Sequence, residues 1–220
     1  MKLKAILFDL DGTLLDSVAA ILGASQDACC ALGIPYDEDQ FRNWIGIPLT
    51  VQARLLSGDR EDEFLETYKT VYRQYRTEST TLFDGTIEML DRLHSMGLRT
   101  GLVTSKNVPG TVRVLETSML EGKFEVVITA DDVVNPKPDA EPILKGLESL
   151  GVSADESVYV GDSLFDHESA VAAGVRMIAV SWGARSKEDL LKAKPEAVFD
   201  DWDEFLAWVE PRAGNAPTGG

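Results

Sequence analysis

Cysteine and histidine are scarce in this 220-residue chain, two of each, and basic residues are outnumbered, with 21 Lys and Arg against 37 Asp and Glu. The two cysteines, Cys29 and Cys30, are adjacent. That excludes a metal site of cysteines alone, argues against a disulfide framework, and leaves both as buried helix thiols. A formal net charge of −16 argues against nucleic acid or anionic membrane as a partner, because either needs a basic footprint to displace counterions. No apolar run reaches the length of a membrane span, and the one that follows Met1–Lys4 is too short for a signal peptide, so a cytoplasmic protein is expected. Nothing in the sequence indicates an oligomeric state.

What is present suits a folded α/β protein. Hydrophobic residues make up 44% of the chain, enough for a substantial core. Short apolar runs rich in β-formers occur at Ala5–Phe8, Leu98–Val103, Val126–Thr129, Ser157–Val160 and Met177–Val180. Helix-like segments at Ile87–Met96, Val112–Leu120, Pro142–Leu150 and Leu164–Ala173 separate the later ones. This alternation predicts a Rossmann-like parallel sheet with helices on both faces. Between the first strand and Leu98 the alternation breaks. Asp16–Leu32, Glu38–Trp44, Leu49–Leu56 and Glu61–Tyr75 carry apolar residues at helical spacing, too long a stretch for an ordinary connection. The expected organisation is an α/β core of residues 1–14 and 84–210, an inserted all-helical domain at 15–83, and a flexible tail at 211–220.

Ligands of open parallel sheets bind beyond the carboxyl ends of the strands, so the residues there are the candidates. The first strand ends in Asp9-Leu10-Asp11-Gly12-Thr13, the second in Thr104-Ser105-Lys106. The third leads to Asn135-Pro136-Lys137-Pro138 and the fourth ends in Gly161-Asp162-Ser163, with Asp166 following. If the strand stays extended, Asp9 and Asp11 project to one face, and their repulsion calls for a divalent cation or a retained proton. Asp162 adds a third oxygen ligand, of the hard kind that Mg²⁺ takes. Lys137 supplies a positive charge; Thr104 and the adjoining Ser105 offer a hydroxyl and backbone N–H groups suited to phosphate oxygens. Each has a plainer reading: a turn at Asp11-Gly12, a helix cap at Thr104 or Ser105, a solvated loop lysine at 137, a capping box from Ser163 to Asp166. A calcium loop is excluded, since glycine is fourth rather than sixth and Ala20 stands where the glutamate belongs.

Together these motifs resemble the haloacid dehalogenase superfamily of phosphotransferases across nearly the whole chain. Asp9–Thr13 matches its first motif, Thr104 its second, Lys137 its third, and Gly161-Asp162-Ser163 with Asp166 its fourth. The helical insert looks like the family's helical cap of the first type. The resemblance implies that Asp9 is nucleophile and metal ligand, and that Asp11 is general acid and base, its backbone carbonyl on the metal. It implies that Thr104, Ser105 and Lys137 hold the phosphoryl group, that Asp162 completes the Mg²⁺ ligands and that Asp166 supports them. The true dehalogenases and phosphonate-cleaving members lack an acid at the position of Asp11. Trp44–Leu49 and Ser181-Trp182-Gly183 look more like phosphoglycolate phosphatases and related pyrophosphatases than sugar phosphomutases, with Gly46 on a cap loop near substrate. A Mg²⁺-dependent phosphatase acting on a small phosphorylated metabolite is the expectation. A pyrophosphatase, a β-phosphoglucomutase-like enzyme or, last, a non-catalytic module are the alternatives. Arg54, Lys69, Arg73 and Arg76 suit solvated helix faces, with a site for a second anionic group as the alternative. His94 reads as a helix-end surface residue, and His167, beside the fourth motif, as one that could support the metal shell.

Overall fold

The computed structural model describes residues 2–213; the side chains of 76–79, Arg76 among them, lie outside the described residues. Six parallel strands form the central sheet: β1 (Ala5–Phe8), β4 (Arg99–Val103), β5 (Val126–Ile128), β6 (Ser157–Gly161), β7 (Arg176–Val180) and β8 (Ala197–Phe199). Their spatial order is β5-β4-β1-β6-β7-β8, which puts β1 beside both β4 and β6. Alternation along β1 divides the core. Ile6 and Phe8 face a cluster with Leu90 of α5 (Thr86–Ser95), Val114 of α6 (Val108–Thr117) and Phe205 of α10 (Trp202–Val209). Ala5 and Leu7 face the other cluster, with Ile143 of α7 (Glu141–Leu150), Ala170 of α8 (Leu164–Ala172) and Leu190 of α9 (Lys187–Ala193). Helices therefore cover both faces, as the alternation of apolar runs requires.

The insert has its own apolar cluster. In it Leu22 and Ala28 of α1 (Val18–Leu32), Phe41 of α2 (Glu38–Trp44), Ala53 of α3 (Leu49–Ser57) and Phe64 and Tyr68 of α4 (Glu61–Ser79) pack together. Where the chain leaves and re-enters the core, β2 (Leu15–Asp16) pairs antiparallel with β3 (Thr81–Leu82). This ribbon, two residues a strand, interrupts a stretch read from sequence as helices only, because a pattern of period two cannot register in so short a run. Adjacent positions on α1 point about 100° apart, so of the two cysteines expected to be buried only Cys29 is; Cys30 is exposed.

Other differences from the sequence reading have local causes. Helix α6 starts at Val108, not Val112: the Asn107 side chain accepts from the Gly110 N–H at 3.1 Å, and Pro109 fits a first turn, where its missing N–H costs nothing. Strand β8, with α9 and α10, extends the sheet beyond the last strand expected. At the C-terminal end, where a tail was expected from 211, the Leu3 N–H donates to the Arg212 carbonyl at 2.8 Å and Ala213 bridges Leu3. Residues 214–220 of that expected tail lie outside the described residues. No helix among the described residues is long and apolar enough to cross a membrane.

An aromatic group fastens the sheet to the loop after β1. Trp202 donates through Nε1 to Thr86 Oγ1 at 3.1 Å and meets Phe8, Phe205 and Trp182 edge-on. Trp182 in turn donates through Nε1 to the Thr13 carbonyl at 3.0 Å. Trp202→Ala would leave a cavity beneath this arrangement and is expected to cost about 3–5 kcal/mol of stability. Urea unfolding checks it; a loss below about 1 kcal/mol would mean the neighbouring aromatics collapse into the gap.

Candidate active site

The six strands run parallel, so their carboxyl ends lie on one side of the sheet, and there Asp9, Lys137, Asp162 and Asp166 come together. Asp9 follows β1 directly, held by its N–H on the Val160 carbonyl at 2.9 Å. The chain then turns: the N–H groups of Thr13, Leu14 and Leu15 all converge on the Leu10 carbonyl. The turn opens just past β1, and the charge of Asp11 still adds to the push on the Asp9 carboxyl. Asp11 is held by Ser17 Oγ at 2.8 Å and by Lys106 Nζ at 2.8 Å. Asp9 has Asp162 and Asp166 as its close carboxylate neighbours, with one oxygen of each of the three within 4.8 Å of the others.

Lys137 organises this cluster. Its Nζ donates to Asp9 Oδ1 at 2.7 Å, to Asp166 Oδ1 at 2.7 Å and to the Tyr159 hydroxyl at 3.1 Å. Burial works against its charge, but Asp166 and Asp9 outweigh burial and hold the ammonium well above its usual pKa. Asp9 shows the opposite balance. Burial pushes its carboxyl up to about 7, against the pull of Lys137 and with a further push from Asp166. Burial, then Asp166 and Asp9, likewise raise Asp162 well above the carboxylate range, while the Ala184 N–H and the Thr13 hydroxyl draw it down.

Counting acceptor sites separates the three acids, since an ionised carboxylate has about four. Asp166 takes Lys137 on Oδ1 and both the N–H (3.0 Å) and hydroxyl (2.6 Å) of Ser163 on Oδ2, with the Tyr159 hydroxyl 3.2 Å from Oδ1. Three of its acceptor sites are taken by Lys137 and Ser163. Ser163 and Asp166 close a capping box on α8, as the plainer reading has it, and Asp166 anchors Lys137 as well. Asp162 accepts one bond on each oxygen, from Thr13 Oγ1 at 3.0 Å and the Ala184 N–H at 2.6 Å. Asp9 accepts only from Lys137 among the described residues, leaving Oδ2 open. Asp9 and Asp162 are the carboxylates with the most room for a cation, and an all-oxygen donor set of this kind suits Mg²⁺.

The insert sits directly over these strand ends. Gly46 has φ +111°, and a Cβ there would stand 2.6 Å from Ser163 Oγ and 3.1 Å from the Phe165 ring, so only glycine lets this loop approach the core so closely. Ser105, expected on phosphate, donates its hydroxyl to the Gly46 carbonyl at 2.6 Å, while Thr104 is buried and its hydroxyl accepts from the Lys106 N–H at 3.2 Å. Arg185 grips Asn43 of α2, with Nη2 on its carbonyl at 3.0 Å and Nη1 on its side-chain oxygen. Gly183 belongs to the loop wrapped on Asp162: a Cβ there would lie 2.3 Å from Asp162 Oδ2.

Sequence reasoning passed over Lys106, which pairs with Asp11, is held above its usual pKa by that acid despite burial, and lies 5.5 Å from the Tyr72 ring centroid of α4. Its position directly after Thr104-Ser105 at a strand end was the available signal. His167 makes no bond to the carboxylate cluster; Nδ1 is buried without a partner among the described residues, and burial lowers the ring's pKa. His94, read as a surface residue, is exposed and bonded through Nε2 to Thr100 Oγ1 at 2.8 Å. On the insert, Arg54 and Lys69 form exposed pairs with Glu61 and Glu66, which fits solvated helix faces.

Comparison with known proteins fits this arrangement. Residues 6–180 match the family model described as haloacid dehalogenase-like hydrolase. The chain is 32% identical over 231 residues to a phosphoglycolate phosphatase of Salmonella typhimurium, covering 93% of this chain and 92% of that one. It is 31% identical over 209 residues to the pyrophosphatase PpaX of Bacillus pumilus, covering 94% and 96%. Among solved structures, a haloacid dehalogenase-like family hydrolase from Streptococcus pneumoniae superposes with a TM-score of 0.80 at 27% identity, covering 94% of this chain and 99% of that one. The chain belongs to the haloacid dehalogenase-like hydrolases.

Proposed function

We propose that this chain is a Mg²⁺-dependent phosphatase that hydrolyses a small phosphate monoester, phosphoglycolate or a close analogue, through a phospho-Asp9 intermediate. One observation carries the reading: Lys137 neutralises Asp9 through Oδ1 and leaves Oδ2 open at the mouth of the strand ends. Asp9 and Asp162, with the backbone carbonyl of Asp11, would hold the cation. Bound there, Mg²⁺ supplies the positive charge that offsets the carboxylates and the phosphoryl oxygens.

Asp9 Oδ2 attacks phosphorus in line, and the ester oxygen leaves with a proton from Asp11. Asp11 then takes a proton from water as that water attacks the acyl phosphate and frees Asp9. Ser17 and Lys106 keep the Asp11 carboxyl in place between the two steps. Thr104 holds a phosphoryl oxygen and Lys137, with its donors on Asp9, Asp166 and Tyr159, lends its charge from behind Asp9, so most of the rate comes from position and charge. The insert, seated on Ser105, Ser163 and Arg185, excludes bulk water and large esters, which favours a free metabolite over a phosphoprotein.

A pyrophosphatase reading has its own support in the similarity to the Bacillus pumilus enzyme. Phosphate release measured in oxygen-18 water over a panel of phosphoglycolate, pyrophosphate and β-glucose 1-phosphate separates the readings. Phosphoglycolate is expected to give the highest kcat/KM, with label entering inorganic phosphate as fast as substrate disappears. Faster release from pyrophosphate would favour the second reading. Conversion of β-glucose 1-phosphate to the 6-phosphate ahead of any release would make the chain a mutase.

The charge balance yields a second expectation. With divalent cation chelated, folded Asp9 holds its proton up to about pH 7, whereas an unfolded aspartate releases it near 3.8, so the contribution of Asp9 to stability falls as pH rises between those values. Asp9→Asn should therefore stop turnover, by roughly a thousandfold or more, and yet raise the Tm of the chelated protein at pH 8 by about 2–4 °C, the shift that about 1 kcal/mol produces at this chain length. Added Mg²⁺ should raise the Tm of the unaltered protein and leave the variant's almost unchanged. Near-normal kcat in a folded Asp9→Asn protein would sink the covalent route.

A further inference from the structure

We infer that Tyr159 is a positioning residue of the phosphoryl-transfer site, fixing Lys137 through its hydroxyl, a role that rests on the phosphatase reading of Lys137. Tyr159 stands in the middle of β6, wholly buried, in a strand otherwise occupied by small and apolar side chains. Its hydroxyl touches three polar groups: Lys137 Nζ at 3.1 Å, the Val103 carbonyl at 2.9 Å and Asp166 Oδ1 at 3.2 Å.

The proton inventory determines what this hydroxyl does. An ammonium has three N–H donors, and those of Lys137 go to Asp9, Asp166 and Tyr159. Tyr159 accepts from Lys137, so its own single proton is given elsewhere, and the Val103 carbonyl is the nearer acceptor. A chain of bonds then runs from the backbone of β4 through Tyr159 to Lys137 Nζ and on to Asp9 Oδ1. A lysine head on a flexible four-carbon stem has no preferred direction of its own. Two carboxylates accept from it on either side, and neither fixes where along the line between them it rests. The third bond, to a ring wedged in the sheet, supplies that constraint. Phenylalanine at 159 would preserve the packing, but leave one Lys137 N–H and the Val103 carbonyl without partners in a buried site, and the ammonium would drift from the position that serves Asp9.

A double-mutant cycle on kcat with Lys137→Ala tests this, with urea unfolding of every variant alongside. Tyr159→Phe is expected to lower kcat by roughly tenfold or more with little change in KM, since a misplaced charge weakens the transition state more than substrate binding. Added to Lys137→Ala, the same substitution should change kcat by less than about twofold, because the group it positions is gone. 4-Aminophenylalanine at 159, which restores a polar atom at the ring tip, should recover most of the rate; this variant also decides the matter if Tyr159→Phe does not fold. A Tyr159→Phe enzyme within about twofold of normal, a loss that multiplies in full on Lys137→Ala, or an aminophenylalanine variant as slow as the phenylalanine one would overturn the inference. If Lys137→Ala itself cost less than about tenfold, the phosphatase reading of Lys137 would fail first.

Discussion

Lys137 Nζ lies between Asp9 and Asp166 in a place where its side chain is 1% exposed, and the site is organised by that ammonium. Three buried aspartates, 9, 162 and 166, face one buried lysine, so protein charge alone does not balance there. Removing Lys137 would strand the carboxylates, a loss that commonly costs about 3–5 kcal/mol. The excess of negative charge is also what makes the site fit a divalent cation. Stability and function pull apart here: the carboxylates that suit a metal and a phosphoryl group burden the fold when no cation is bound.

The surrounding structure follows from holding these charges at fixed distances. Asp9 is fixed by β1, Asp162 by the end of β6, Asp166 by the first turn of α8, and Tyr159 by the interior of β6. The Trp202–Trp182–Thr13 contacts brace the turn after β1, and the loop through Gly183 and Ala184 closes on Asp162 from the side. Over this stands the insert, joined to the core by the β2–β3 ribbon and seated through Gly46 and Asn43. Rigid parts hold the charges, and the ribbon is the narrow connection between insert and core.

Much of this was legible in the sequence because the parallel sheet puts its polar residues at strand ends, where an apolar run stops at Asp9, Thr104 and Asp162. Lys137 stood out as a cation in a loop between strands. What escaped notice depended on contacts between distant segments. Tyr159 looks like one more β-former in an apolar run until its hydroxyl meets Lys137, 22 residues away in sequence. Ser105 and Lys106 adjoin Thr104, yet their partners, Gly46 and Asp11, belong to other segments. The turn on the Leu10 carbonyl is made by backbone bonds, which leave little trace in residue type. Strand β8 is three residues of partly exposed edge, below what apolar periodicity detects.

The central claim is that Asp9 carries the phosphoryl group. Acid quench within a single turnover, followed by peptide mass spectrometry with borohydride reduction of the acyl phosphate, tests it most directly. The account predicts phosphate on the peptide that contains Asp9 and reductive conversion of that one aspartate to homoserine. Full product formation with no phosphorylated peptide at any time point, or phosphate on a different residue, would contradict it.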